Sequence, residues 1–217
     1  MTALIRTEQL SYSYPVRGVV LDSVDMSLYA GERVSLEGNN GAGKTTFLNL
    51  LVGLNKPKSG KLFAFGKERK AEADFIEVRS KAGFLFQDPD DQLFCPTVLE
   101  DVAFGPLNQG KSFEEAKAIS IGILDCLGMA GFENRVTHQL SGGEKRMVTL
   151  ASVLAMEPEV LLLDEPSNAL DKQARLRLIE VLSTLPQAMI IISHEPSFLD
   201  ALVTRRTRLQ GGKILDV

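Results

Sequence analysis

Apolar and polar positions change their period twice along the chain. The first third carries short β-rich pieces at about 3–9, 19–29, 33–37 (RVSLE) and 61–65 (KLFAF), divided by breaks that contain Gly or Pro. AGFLF at 82–86 reads as a further buried strand. From about residue 112 the period is helical. Ser112 and Glu115 form a capping-box pattern, Ile119, Ile123 and Leu127 share one face, and Gly128 stops the helix. Strand character returns in EVLLLD (159–164) and AMIII (188–192), continuous apolar runs of the kind buried on both faces of a parallel sheet. Between them Asp171 caps a helix with the stripe Leu178, Ile179, Leu182 and Leu185, and Gly211-Gly212 makes a turn between two last strands. These elements predict an α/β chain with a β-rich start and a helical segment inserted at about 90–150.

The loop GNNGAGKTT (38–46) follows the strand RVSLE and opens the helical run TTFLNLLVGL. Gly38, Gly43, Lys44 and Thr45 match G-x-x-x-x-G-K-[ST] in the strand–loop–helix context that gives the pattern its meaning. Glycine lets backbone wrap closely round a phosphate chain, and the free N–H groups of a helix start offer an anion positive potential. Asn39, Asn40, Gly41, Ala42 and Thr46 complete the expected lining. Lys44 is placed to neutralise β- and γ-phosphate charge, and the Thr45 hydroxyl to ligate Mg²⁺. A flexible Gly-rich turn is the plain alternative, and the flanking strand and helix argue against it.

A nucleotide site of this kind needs an acidic partner, which VLLLDEP (160–166) supplies. Its apolar residues build a central strand and deliver Asp164 at the carboxyl end, where α/β sheets hold ligands. Asp164 would hold Mg²⁺ through water, and Glu165 would polarise the attacking water as general base. Upstream, QLSGGEKRMVTLASVLA begins at Gln139. Ser141 and Glu144 form another capping box, which leaves Gly142 and Gly143 in the first helical turn with free N–H groups. Better helix formers exist for that turn; bare glycines there suit close approach to a phosphate.

This order of motifs resembles the ATP-binding-cassette (ABC) ATPases over almost the whole chain. The resemblance implies a P-loop NTPase fold: a RecA-like core with an N-terminal antiparallel β subdomain and an inserted α-helical subdomain, all in one domain over 1–217. The family signature, usually LSGGQ, is LSGGE here, with Ser141, Gly142 and Gly143 intact. SNALD (167–171) resembles the D-loop, with Asp171 as its aspartate. His194 matches the switch histidine that touches the γ-phosphate, followed here by Glu195 where Asp is usual. The family stacks an N-terminal aromatic on adenine; LSYSYP offers Tyr12 and Tyr14, and the distance to Gly31-Glu32 favours Tyr14.

FLFQDPDDQLFCP (84–96) lacks the spacing of an EF-hand calcium loop and would alone be a surface turn. The resemblance makes Gln87 the Q-loop glutamine, which reaches Mg²⁺ and the attacking water. The stretch DPDDQLFCPTVLEDVAFGPLNQG further resembles energy-coupling-factor importer ATPases, especially the cobalt/nickel type. That implies an ATP-hydrolysing motor peripheral to the cytoplasmic face of the cell membrane. Its partners would be a second ATPase chain, with a homodimer favoured over a heterodimer, a transmembrane coupling subunit and a substrate-binding membrane subunit. The solute would be cobalt, nickel or a vitamin. Leu93 and Phe94 are expected to be exposed and to form a groove for a coupling helix.

Composition narrows the alternatives. Lys plus Arg is 24 against 28 Asp plus Glu, a net charge of −4, which disfavours nucleic acid as a partner. The two cysteines, Cys95 and Cys126, lack metal-ligand spacing and suit a reducing compartment. The longest apolar runs fall short of the ~20 residues that span a bilayer. A non-transport ABC ATPase of DNA repair would share the motifs, but usually carries a long coiled coil that the interval from Lys44 to Ser141 cannot hold. A small-molecule P-loop kinase would lack the signature.

Overall fold

Two sheets share the strands of the computed structural model, which describes residues 2–168 and 170–217. β1 (Ile5–Tyr14) and β2 (Gly18–Leu28) pair as an antiparallel hairpin, after which β3 (Arg33–Glu37) departs for the second sheet. α1 (Lys44–Leu51) follows, then β4 (Ser59–Ala64) and β5 (Lys67–Glu68) return to the hairpin. The first sheet therefore has the order β2-β1-β4-β5. β1 runs to Tyr14, beyond the expected end at about 9, because register shifts between Thr7 and Leu10 and again before Tyr12 break the alternation of faces.

The remaining elements are α2 (Asp74–Lys81), β6 (Ala82–Leu85), α3 (Val98–Asn108), α4 (Phe113–Cys126), α5 (Gly142–Leu154), β7 (Val160–Asp164), α6 (Lys172–Thr184), β8 (Ala188–Ile192), α7 (Pro196–Leu202), β9 (Arg205–Gln210) and β10 (Lys213–Asp216). The second sheet runs β10-β9-β3-β8-β7-β6, parallel except for the terminal β10. Every residue of β7 and β8 is buried, as their unbroken apolar runs require. Successive side chains point to opposite faces. Leu162, Ile190 and Ile192 enter a core shared with the first sheet and α1, while Leu161, Leu163, Met189 and Ile191 enter a second core with α5, α6 and α7. Burying each such side chain stabilises the fold by roughly 1.5–3 kcal/mol.

α3, α4 and α5 pack on one another, and α5 also lies on β6. A Cβ at Gly83 of β6 would sit 2.2 Å from Val153 of α5, so glycine allows that close approach. All three helices start with a capping box, at Thr97, Ser112 and Ser141. The expected stripe of α4 is rotated slightly: Ala116, Ser120 and Leu124 are its buried face, with Ile119 and Ile123 half-buried beside it. These three are fully buried, and α4 packs on both α3 and α5.

An acid-labile cluster ties α2 to the first sheet. Glu77 accepts from Lys67 at 3.0 Å and from the buried Arg69 at 2.9 Å. These two donors hold its carboxyl down at about 2, from an ordinary 4.5. A carboxyl depressed by folding stabilises the fold above its unfolded value, and that contribution disappears as pH falls through the folded value. Glu77→Gln should therefore flatten the dependence of Tm on pH between about 4.5 and about 2, with no change of slope at neutral pH. Thermal melts of both chains across that window check it.

Candidate functional site

The loop between β3 and α1 owes its path to glycines at two close approaches. Gly43, the residue before α1, has φ 113, and a Cβ there would lie 2.4 Å from Val20 Cγ1. A Cβ on Gly38 would lie 2.6 Å from the Leu209 carbonyl oxygen. The Lys44 side chain folds along the loop, where Nζ donates to the carbonyls of Gly38 (2.7 Å) and Asn39 (3.2 Å). Burial lowers the Lys44 pKa, and the charges of Glu165 and Asp164 pull it back up. Asn40, Gly41 and Thr46 line the same cavity, of about 640 Å³, and Ala42 lies with Asn39 on the far side of the loop.

β7 ends at Asp164, only 2% exposed, whose Oδ2 accepts from the Thr45 hydroxyl at 2.6 Å. Burial pushes the Asp164 pKa up, against that hydrogen bond and the charges of Lys44 and Arg146. The chain then turns through Glu165 at φ 48, a left-handed conformation that costs a non-glycine residue about 1–3 kcal/mol. The turn aims the Glu165 side chain at the end of β8. Its Oε2 accepts from the His194 backbone N–H at 3.3 Å, and Oε1 lies 3.3 Å from His194 Nε2. His194 Nε2 is in turn 3.5 Å from Lys44 Nζ. Gln87, from the loop after β6, faces the cavity beside Thr45 and Asp164. The structure thus brings Lys44, Thr45, Gln87, Asp164, Glu165 and His194 around one space.

Other expected residues lie elsewhere. The Tyr14 hydroxyl is 3.1 Å from Thr46 Oγ1 and its ring meets Tyr12 edge-on at 4.9 Å, which places both tyrosines beside the loop. Ser141, Gly142, Gly143 and Asp171 line a second cavity of about 600 Å³, and Gly142 also borders a cavity of about 710 Å³ lined by Thr45, Gln87 and Asp164. Ser141 caps α5 through the Glu144 N–H, and Asp171 caps α6 through the Ala174 N–H at 2.8 Å. Ala169 of SNALD lies outside the described residues. The expectation that Leu93 is exposed is corrected: its side chain is half-buried against the core beneath α3 to α5, because the 3-10 turn Pro89–Asp91 folds it inward. Phe94 is 65% exposed and stacks edge-on against Phe104 of α3, 45% exposed, at 4.8 Å.

Three side chains near the site had no place in the sequence reading. Arg17, in the β1–β2 turn, donates to the Gly41 carbonyl. Gln92 closes the loop after β6 by accepting from Phe86 N–H and donating to the Phe84 carbonyl. Arg146 of α5 is buried and donates to the Phe86 and Gln87 carbonyls at 2.6 Å each. Nothing in the sequence separates Arg146 from an ordinary solvated helix cation; only its direction into the core does.

Residues 21–168, more than half of the chain, match the ABC transporter family. The chain belongs to the ABC transporter ATPases. It is 53% identical over 215 residues to a Brucella suis biovar 1 protein provisionally named an ABC transporter ATP-binding protein, covering 99% of this chain and 89% of that one. It is 41% identical to the energy-coupling factor transporter ATP-binding protein EcfA of Methanothermobacter thermautotrophicus, across 98% of this chain and 70% of the relative. Its fold superposes with TM-score 0.87 on cbiO1 of Clostridium perfringens, described as part of the ABC transporter complex cbiONQ, at 30% identity and covering 99% and 88% of the two chains. This ABC ATPase binds and hydrolyses ATP. Among the described residues no helix is long and apolar enough to cross a membrane. No cluster of three or more His, Cys, Asp or Glu among them could hold a metal by itself.

Proposed function

We propose that this ABC ATPase is the motor subunit of an energy-coupling-factor type importer for cobalt, nickel or a vitamin, peripheral to the cytoplasmic face of the membrane. One observation carries the reading. An apolar groove of about 250 Å³, lined by Leu54, Phe84, Phe86, Phe94, Phe104 and Met156, opens one residue away from Gln87. Exposed aromatics in a concave surface suit a helix of a membrane partner, and the loop that lines the groove continues directly into the nucleotide cavity.

At that cavity the chain's residues divide the chemistry. Tyr14 stacks on adenine. The loop from Gly38 to Thr46 wraps the phosphates, and Lys44 neutralises their charge. The Thr45 hydroxyl and Asp164 carboxylate, side by side at 2.6 Å, are hard oxygen donors that suit Mg²⁺, with Gln87 as a further oxygen. Bound Mg²⁺ supplies Lewis-acid stabilisation of phosphoryl oxygens. Glu165 takes the proton from the attacking water, and His194 orients Glu165 and the γ-phosphate.

Two copies of the chain complete each other's sites, an arrangement supported by Gly142. Its backbone is not left-handed and a Cβ there would meet nothing within 4 Å, so this fold does not itself require glycine. A partner's phosphate, approaching the first turn of α5, does. In this reading Ser141, Gly142, Gly143 and Asp171 serve the nucleotide held by the other copy, and closure and reopening of the pair move the membrane subunits.

The transport role is tested at Phe94 and Phe104. Replacing both with serine should cut co-purification with solubilised membrane subunits about tenfold or more, while Tm and the ATPase rate of the isolated chain stay near normal. Side chains that instead support the fold would each cost about 1.5–3 kcal/mol when made polar. A lowered Tm with intact membrane capture would remove the groove from the coupling path.

A further inference from the structure

Arg146 is 2% exposed, one of the largest fully buried side chains, and makes no ion pair among the described residues. The charges of Asp88 and Asp164 act on it from beyond contact, yet burying a guanidinium with no direct ion pair is costly, and a Met or Leu would fill the same space more cheaply. What the arginine provides instead is two hydrogen bonds to neighbouring carbonyls, one from each terminal nitrogen: to Phe86 O at 2.6 Å and to Gln87 O at 2.6 Å. Those carbonyls belong to the two peptide planes on either side of the Gln87 Cα. Peptide groups are planar, so fixing both planes fixes φ and ψ of residue 87 and with them the direction of its Cα–Cβ bond. That bond leads toward the cavity shared with Thr45 and Asp164.

The same stretch is tied down at its ends. Gln92 bridges Phe84 O and Phe86 N–H, and Lys145, adjacent to Arg146, pairs with Asp90 at 2.6 Å. The loop after β6 is therefore clamped to the first turns of α5, the helix that Ser141, Gly142 and Gly143 begin.

We propose that Arg146 is a positioning residue for ATP hydrolysis: from the signature helix it holds both peptide planes of Gln87 and so aims that side chain at the nucleotide. The inference rests on the role given to Gln87 above.

The test uses the full chain with MgATP and compares Arg146→Lys, Arg146→Met, Gln87→Ala and the two double variants by kcat, KM, nucleotide binding and thermal melts. Lysine has one terminal nitrogen in place of the two held apart by the rigid guanidinium fork, so it cannot keep both carbonyls in the same geometry. Expected is a kcat loss of about tenfold for Arg146→Lys and a larger one for Arg146→Met, with KM within about threefold, since an aimed catalytic side chain acts on the transition state. In the Gln87→Ala background the Arg146 changes should add less than about twofold, because the group being aimed is gone. Losses that multiply fully with Gln87→Ala, a normal kcat in folded Arg146 variants, or failure of both variants to fold would each overturn the proposal. The first two results, with Gln87→Ala itself slow, would leave the role of Gln87 standing. A normal kcat in Gln87→Ala would instead remove that role and the inference with it.

Discussion

Glu165→Gln should bind ATP about as tightly as the unaltered chain and hydrolyse it at least about 10²-fold more slowly, the scale for losing a general base. The substitution is nearly isosteric, and its amide oxygen can still accept from the His194 N–H that Glu165 Oε2 engages at 3.3 Å. What it removes is the ability to take a proton. Lys44→Ala should do the reverse at the binding step. It deletes the cation that lies against the Gly38 and Asn39 carbonyls, so ATP affinity itself should fall. Nucleotide binding and single-turnover hydrolysis, measured on both variants, separate the two roles. A normal rate in Glu165→Gln would take the base assignment away from this residue.

ATP should drive Glu165→Gln from monomer to dimer, and adding Ser141→Arg should abolish that shift. Ser141 borders the cavity formed with Gly142, Gly143 and Asp171, which the chain's own phosphate loop does not line, and in the proposed arrangement a second copy completes each site there. An arginine there places bulk where a partner's γ-phosphate belongs. Ser141 also caps α5 by accepting from the Glu144 N–H, and losing a cap costs about 0.5–2 kcal/mol. Ser141→Ala loses the same cap without adding bulk, so it is the control: it should melt earlier yet still dimerise with ATP. Sedimentation of all three chains decides the matter. An ATP-stabilised dimer that tolerates Ser141→Arg would refute the two-copy site.

Legibility in the sequence followed the range of the interactions involved. The phosphate loop, the Asp164–Glu165 pair and the caps at Ser112, Ser141 and Asp171 are local, since each depends on residues within one turn or one strand end. Chain spacing alone therefore exposes them. The runs at 160–163 and 188–192 were equally plain, because a strand segment covered on both faces must be apolar at every position. α2 and α3 were harder: α2 buries only Phe75 and Val78, and α3 carries Gly105 and Pro106, so neither shows a long helical period.

By itself, then, the sequence determined the class of chemistry and the family, because these rest on short motifs whose backbone conformation is set locally. Only the tertiary structure decided that His194 meets Glu165 at 3.3 Å, that Leu93 turns inward while Phe94 and Phe104 stay out, and that Arg146 is buried. Those outcomes depend on parallel strands and crossing helices that juxtapose residues far apart in the chain. A cation in a helix looks the same in sequence whether its side chain reaches water or two buried carbonyls.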